Sequence, residues 1–231
     1  MNHSVIFVSL GPGDPELITL KGLKTLQTAD YIFAPFTGKK KVSSFANDIL
    51  LKLEIDSGKI HLFEVPMNKD RTKALEAYQK VAEQIAELYQ KGHKIVVTAE
   101  GDAGFYSSIH SIQENLLKQN IPTQKIAGIP AFIACGALAN LQIVEQEETL
   151  EVIPGVIELF DLKEKIQKQK TIVLMKVSQC ESVIKQFLKE NPDCECHYFE
   201  NVGIEGKEFY SSQKEDIINR EFPYFSLIIM R

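Results

Sequence analysis

The chain has 231 residues, 44% of them hydrophobic and 25% charged, enough to bury one large core or two modest ones. Its 26 basic and 31 acidic side chains leave a net charge of −5, which argues against a general nucleic-acid or membrane-surface role. No apolar run approaches the roughly 20 residues of a membrane span, and no basic segment precedes the first apolar run. The expectation is a cytoplasmic protein with reduced thiols.

Short β-rich runs alternate with helical patterns along the chain, which predicts an α/β fold. Residues 5–10 read as a buried strand ending in the turn Gly11-Pro12-Gly13-Asp14-Pro15. Thr19 then reads as a helix N-cap, with Leu20, Leu23 and Leu26 on one apolar face. Residues 31–34 form a second short strand closed by Pro35, followed by a basic loop, a helix over 43–51 and a strand over 60–65 that Pro66 stops. The clearest helix covers 71–90, where Ala74, Leu75, Tyr78, Val81, Ala82, Ile85 and Leu88 recur at three- and four-residue steps, and Gly92 ends it. A strand at 94–98 leads into the loop Ala99-Glu100-Gly101-Asp102-Ala103-Gly104, and a helix follows from Phe105 through Leu117.

The breaker cluster Asn120-Ile121-Pro122-Thr123 predicts two α/β domains, 1–121 and 122–231. The second half reads strand, helix (130–140), strand (150–153), helix, strand (171–175), helix (180–190) and strand (195–200). It closes on a pair of strands around 208–211 and 225–230, so this half is richer in hairpin-like strands. Cys135 and Cys180 are isolated, whereas Cys194, Cys196 and His197 form a cluster that invites a metal reading. A tetrahedral zinc site spaces its paired cysteines by two to four residues and draws on a second pair, and neither condition is met. Period 2 puts both sulfurs on one face of a strand, so core packing is expected there and no metal.

Gly11-Pro12-Gly13-Asp14 follows a strand and precedes a helix, as a dinucleotide fingerprint does. The third glycine is replaced by Glu16, and no acid stands at the end of the second strand, so the fingerprint fails. A phosphate-binding Walker loop fails too, because no Gly-Lys-Ser/Thr follows. A plain strand–helix turn remains an alternative on this tetrapeptide alone.

Several segments together resemble the tetrapyrrole methylase family in order and spacing. Val8-Ser9-Leu10-Gly11-Pro12-Gly13-Asp14-Pro15-Glu16-Leu17-Ile18-Thr19 is similar to the family's opening. Gly101-Asp102 with Phe105-Tyr106-Ser107-Ser108 resembles its Gly-Asp-Pro loop, and Ala127-Gly128-Ile129-Pro130-Ala131-Phe132 its Pro-Gly-Ile segment. Val65-Pro66-Met67-Asn68-Lys69-Asp70, Val173-Leu174-Met175-Lys176-Val177 and Glu200-Asn201-Val202-Gly203, leading to Tyr224-Phe225-Ser226-Leu227, resemble the precorrin-2 C(20)-methyltransferase branch. Three positions depart from the pattern: Ala103 and Ala127 stand where prolines are usual, and Glu100 where a small or apolar residue is.

The resemblance implies a two-domain tetrapyrrole methylase fold with S-adenosylmethionine in the interdomain cleft, usually as a homodimer. The implied reaction is methylation of a corrin precursor in cobalamin biosynthesis, metal-free or cobalt-loaded. It puts cofactor contacts at Leu10, Pro12, Gly101, Asp102, Phe105, Pro130, Ala131, Met175, Val202 and Ser226. Asp102 is expected to point to the cofactor, with an N-cap of the following helix as the alternative. Asp14 is the candidate for positioning the ring or shuttling a proton, with capping of its own turn as the rival. Precorrin carboxylates call for local positive charge, and Lys39, Lys40, Lys41, Lys69, Arg71 and Lys176 are available, although a lysine run is often a solvated loop. His110 is expected to be structural. Two rival readings stay open: a methylase acting at another ring position or acceptor, and a cofactor-binding relative without chemistry.

Overall fold

Two sheets organise the chain, each within its own compact unit, Met1–Pro130 and Ala131–Arg231. The computed structural model describes residues 3–36, 44–65, 72–168 and 170–231. The first unit runs β1 (Val5–Ser9), α1 (Leu20–Gln27), β2 (Tyr31–Phe36), α2 (Phe45–Lys52), β3 (Ile60–Glu64), α3 (Thr72–Gln90), β4 (Ile95–Ala99), α4 (His110–Lys118) and β5 (Thr123–Ile126). Its five strands are all parallel, in the order β3-β2-β4-β1-β5.

Alternating side chains of β1 and β4 face opposite ways, and each face has its own helices. Val5, Phe7, Ile95 and Val97 pack with Tyr78, Val81 and Ile85 of α3 and with Ile112 and Leu116 of α4. Val8, Leu10, Ile32 and Val96 pack instead with Leu26 of α1 and with Ile49 and Leu50 of α2. Burying each such side chain contributes about 1.5–3 kcal/mol, so both helix layers are held by their apolar stripes.

Several local expectations change. Thr19 caps α1 by accepting from the Gly22 N–H at 3.1 Å, but Leu20 is 74% exposed and the buried residues are Gly22 and Leu26. Pro35 does not end the second strand. Its position pairs with β3 alone, since β4 accompanies only residues 31–33, so its missing N–H leaves no ladder bond unmade on the β4 side. The helix expected from Phe105 starts only at His110, after a series of turns. The strand after the breaker cluster is β5, which pairs with β1 in the first sheet, and the compact division therefore falls at 130/131. His110 lies on the surface, its ring 3.4 Å from Glu114.

The second unit runs α5 (Ala131–Leu138), β6 (Leu150–Pro154), α6 (Leu159–Gln167), β7 (Thr171–Met175), α7 (Glu181–Glu190), β8 (Cys196–Glu200), β9 (Phe209–Ser211), α8 (Lys214–Asn219) and β10 (Ser226–Met230). Its sheet is mixed, in the order β6-β7-β10-β8-β9, and only β6 and β7 run parallel. The two closing strands do not pair with each other: β10 lies between β7 and β8, and β9 takes the edge. Cys196 is buried in this unit's core, and burial pushes its thiol up. His197 is engaged through both ring nitrogens, by Tyr210 Oη at 2.9 Å and by Glu195 Oε1 at 2.8 Å. Glu200 is 6% exposed and is met by Tyr198 Oη at 2.7 Å and by Arg220 Nε and Nη2 at 2.5 and 3.1 Å. A buried carboxylate so paired is satisfied rather than free.

Among the described residues, no helix is long and apolar enough to cross a membrane, and no group of three or more His, Cys, Asp or Glu residues could hold a metal ion.

Candidate functional site

In the first sheet β1 and β4 are neighbours, yet β1 leads to α1 on one face and β4 to α4 on the other. Their outgoing loops leave toward opposite faces, and at such a switch point open parallel sheets bind ligands in the crevice outside the carboxyl ends of the strands. The two loops are tied at their base. Leu10 N donates to Ala99 O at 2.8 Å, Gly101 N to Gly11 O at 2.8 Å, and Gly11 N to Gly101 O at 3.1 Å. Gly11 and Gly101 hold φ of 81° and 69°, a region open to glycine without steric cost.

A buried polar hub joins a third loop to this pair. Ser9, fully buried at the end of β1, donates its Oγ–H to Ile126 O at 2.7 Å and accepts from Ala103 N at 2.8 Å. Asp102 accepts from Gly104 N at 2.7 Å through Oδ1 and from Gly128 N at 2.7 Å through Oδ2, which also lies 3.4 Å from Ser9 Oγ. One serine and one aspartate thus fix residues 9–14, 99–104 and 126–130 against each other. Gly128 is required by close approach: a Cβ there would stand 2.4 Å from Ser9 Cβ and 3.1 Å from Gly101 O.

These contacts revise what the sequence suggested for the loop. Asp102 does not cap α4, whose N-cap is Ile109 without a side-chain bond; it caps its own turn and clamps Gly128. Ala103, where a proline is usual, uses the N–H that a proline would lack to bond Ser9. Asp14 accepts from Glu16 N at 2.8 Å and so caps the turn Pro15–Leu17. Sequence reasoning missed Ser9 as an organising residue, although a serine inside the apolar run Val5-Ile6-Phe7-Val8-Ser9-Leu10 was the available signal.

Glu100 differs from both aspartates. It lies between the tied residues Ala99 and Gly101 and makes no hydrogen bond or ion pair with a described residue. Enclosure by protein raises its carboxyl to about 7, with no charged neighbour contributing. Next to it, the side of Gly101 where a Cβ would sit meets open space.

In the second unit, Met175 ends β7, Ser226 opens β10, and Val202 lies just past β8. Ladder register brings these positions to one end of the sheet, since Met175 pairs with Leu227 and Ser226 with Glu200. Lys176 beside Met175 and Asn201 beside Val202 both take the left-handed conformation, with φ of 56° and 49°. Asn201 N donates to Phe225 O at 2.8 Å, and Ser226 Oγ donates to Pro223 O at 2.5 Å. Leu10 and Pro12 are buried in the first loop, Phe105 stacks edge-on against Tyr106 at 4.6 Å, and Pro130 and Ala131 stand at the division of the units. Lys39, Lys40, Lys41, Lys69 and Arg71 lie outside the described residues, as does segment 66–70.

The model of the family Tetrapyrrole (Corrin/Porphyrin) Methylases matches residues 4–217, and the chain belongs to that family. It is 28% identical over 237 residues to a precorrin-2 C(20)-methyltransferase of Sinorhizobium sp., covering 98% of this chain and 94% of the relative. It is likewise 28% identical over 225 residues to a probable cobalt-precorrin-2 C(20)-methyltransferase of Methanocaldococcus jannaschii, covering 97% of this chain and 94% of the relative. The fold is shared with a uroporphyrin-III C-methyltransferase of Thermus thermophilus complexed with S-adenyl homocysteine. That match has a TM-score of 0.66 and 18% identity, and covers 99% of this chain and 97% of that one.

Proposed function

We propose that this methylase transfers the methyl group of S-adenosylmethionine to C-20 of precorrin-2 or its cobalt-bearing form. The observation that carries the reading is the match, over nearly the full length of both chains, to relatives named for that position in metal-free and cobalt series. The segments around Met175 and Asn201, quoted above for this branch, support the same ring position. The uroporphyrin-III relative keeps a second reading alive, in which the same fold methylates another acceptor.

The residues present suit the donor. Gly101 is open on its side-chain side, and Ala127 and Gly128 add little side-chain bulk to the third loop. When bound, S-adenosylmethionine supplies an electrophilic methyl group on a sulfonium sulfur. The chain's share of the work is to orient donor and acceptor and to exclude water. Ser9 and Asp102 hold the loops rigid for that task, and Leu10, Pro12, Gly101, Phe105, Pro130, Ala131, Met175, Val202 and Ser226 are the proposed donor contacts. Asp14, with one oxygen committed to its turn, is the proposed group for positioning the ring.

Lys176 and the basic residues 39–41 and 71 are proposed to meet the carboxylates of the macrocycle. We assign the protein to the cytoplasm as a homodimer, to be checked by sedimentation. Incubating the purified chain with each donor–acceptor pair and weighing the product tests the reading; methylation of uroporphyrinogen III alone would favour the second one.

A further inference from the structure

Fixed backbone on both sides and a side chain without a partner single out one group at the crevice. We infer that Glu100 is the base that removes the proton from the acceptor carbon after that carbon has received the methyl group. The inference rests on the methyltransferase reading above.

The placement comes first. Glu100 lies in the loop leaving β4, at the crevice between β1 and β4, and its neighbours Ala99 and Gly101 are each hydrogen-bonded to the β1 loop. Its Cα is therefore held as firmly as a strand residue. The aspartates of these loops are already occupied: Asp102 accepts from two backbone N–H groups and Asp14 from one. The third loop, 127–130, holds no titratable side chain. Glu16 is exposed to solvent, so Glu100 is the carboxylate of these loops that protein largely encloses without a hydrogen bond or counter-charge among the described residues. Enclosing an unpaired carboxyl is costly and stabilises nothing, which is the mark of a group kept for chemistry. Burial brings its carboxyl to about 7, so the ionised form is available near neutrality and is a better base than a solvated carboxylate.

The step balances without a further reactant. The sulfur–methyl bond breaks with its electron pair left on sulfur, and the π electrons of the ring carbon form the new carbon–methyl bond. That carbon then bears both hydrogen and methyl, and the ring carries the positive charge. Glu100 takes the proton, and the released carbon–hydrogen pair restores the conjugation. The protonated carboxyl returns its proton to solvent, with which the partly exposed residue keeps contact.

The test measures steady-state methylation of precorrin-2 by the wild-type chain and by Glu100→Gln, from about pH 5.5 to about pH 9. The expected wild-type kcat rises with an apparent pKa near 7 and then levels, and the variant loses that limb with kcat lowered about 10²–10⁴-fold. Calorimetric titration with S-adenosylhomocysteine at about pH 8 should give Kd values within about twofold of each other. Glu100→Asp should regain part of the rate together with the acid limb. A wild-type kcat that is flat across neutrality overturns the inference even if the variants fail to fold. So does a Glu100→Gln enzyme with unchanged kcat, or one whose main defect is weaker binding of S-adenosylhomocysteine. Absence of any methylated product from the wild type defeats the methyltransferase reading instead, and is thereby distinguished from a pH-flat but active enzyme.

Discussion

Replacing Glu100 by Gln should stabilise the first unit above neutrality and leave it nearly unchanged in acid. The unfolded chain ionises this carboxyl near 4.5, whereas the fold holds it to about 7. Between those values the folded state binds the proton more tightly, so the wild type loses stability as pH rises through the interval and has lost the full amount above it. The difference of 2.5 pH units, 7 minus 4.5, at about 1.4 kcal/mol per unit sets a ceiling of about 3.5 kcal/mol on the destabilisation at alkaline pH. Glutamine has the same shape and no charge to desolvate, so the variant should gain up to that amount at about pH 8 and little at about pH 4.5. Urea unfolding followed by circular dichroism at both pH values measures it, with native-state amide exchange reporting the first unit separately. An equal effect at both values would show that glutamine altered packing and not titration. A wild type more stable than the variant at alkaline pH would mean that a counter-charge or donor faces Glu100, which would refute the reasoning outright.

Asp102→Ala removes two charge-assisted bonds to the N–H groups of Gly104 and Gly128, and should cost about 2–4 kcal/mol in thermal or urea unfolding. It should also weaken S-adenosylhomocysteine binding at least about tenfold by releasing the loops; lost stability with unchanged affinity would confine Asp102 to a structural role. Gly128→Ala drives a Cβ to 2.4 Å from that of Ser9, so the backbone must shift, at about 1–3 kcal/mol. Because that shift breaks the same Asp102 bond, the double variant with Asp102→Ala should lose less than the sum of the two, as a thermodynamic cycle would show. Neutralising Lys39, Lys40 and Lys41 together should raise KM for the tetrapyrrole but not for the donor, and the defect should mimic added salt, since exposed charges are screened over about 10 Å at 0.1 M.

Much of the fold was legible because apolar runs and helical periodicity report burial directly. The 19-residue helix Thr72–Gln90 and the buried strands Val5–Ser9 and Ile95–Ala99 follow from pattern alone. What escaped depended on partners that no local pattern records. Pro35 signals a stop, yet it is tolerated in β2 because one flank of the strand there has no ladder to break. Thr123–Ile126 is a four-residue strand with two exposed residues, so nothing in it announced membership of the first sheet. The closing strands suggested a hairpin, but their separation by β8 is a matter of topology rather than of spacing.

At the site, the loops were legible and the wiring was not. Gly11, Gly101 and Gly128 stood out as glycines, while their reasons, paired backbone bonds in two cases and contact with Ser9 in the third, needed coordinates. Ala103 read as a departure from pattern and is explained by its N–H bond to Ser9. Glu100 also read as a departure, and its unpartnered, enclosed carboxyl turns that oddity into a mechanistic assignment.

Product identity after a single incubation bears most directly on the proposed activity. The purified chain is mixed with S-adenosylmethionine carrying a ¹³C-labelled methyl group and with precorrin-2 or its cobalt form, and the product is examined by mass and carbon NMR. The expected product carries one added methyl group with the label on C-20, formed together with an equivalent of S-adenosylhomocysteine. A label on any other ring carbon, or recovery of both macrocycles unmethylated by an enzyme that binds S-adenosylhomocysteine, would contradict the assignment.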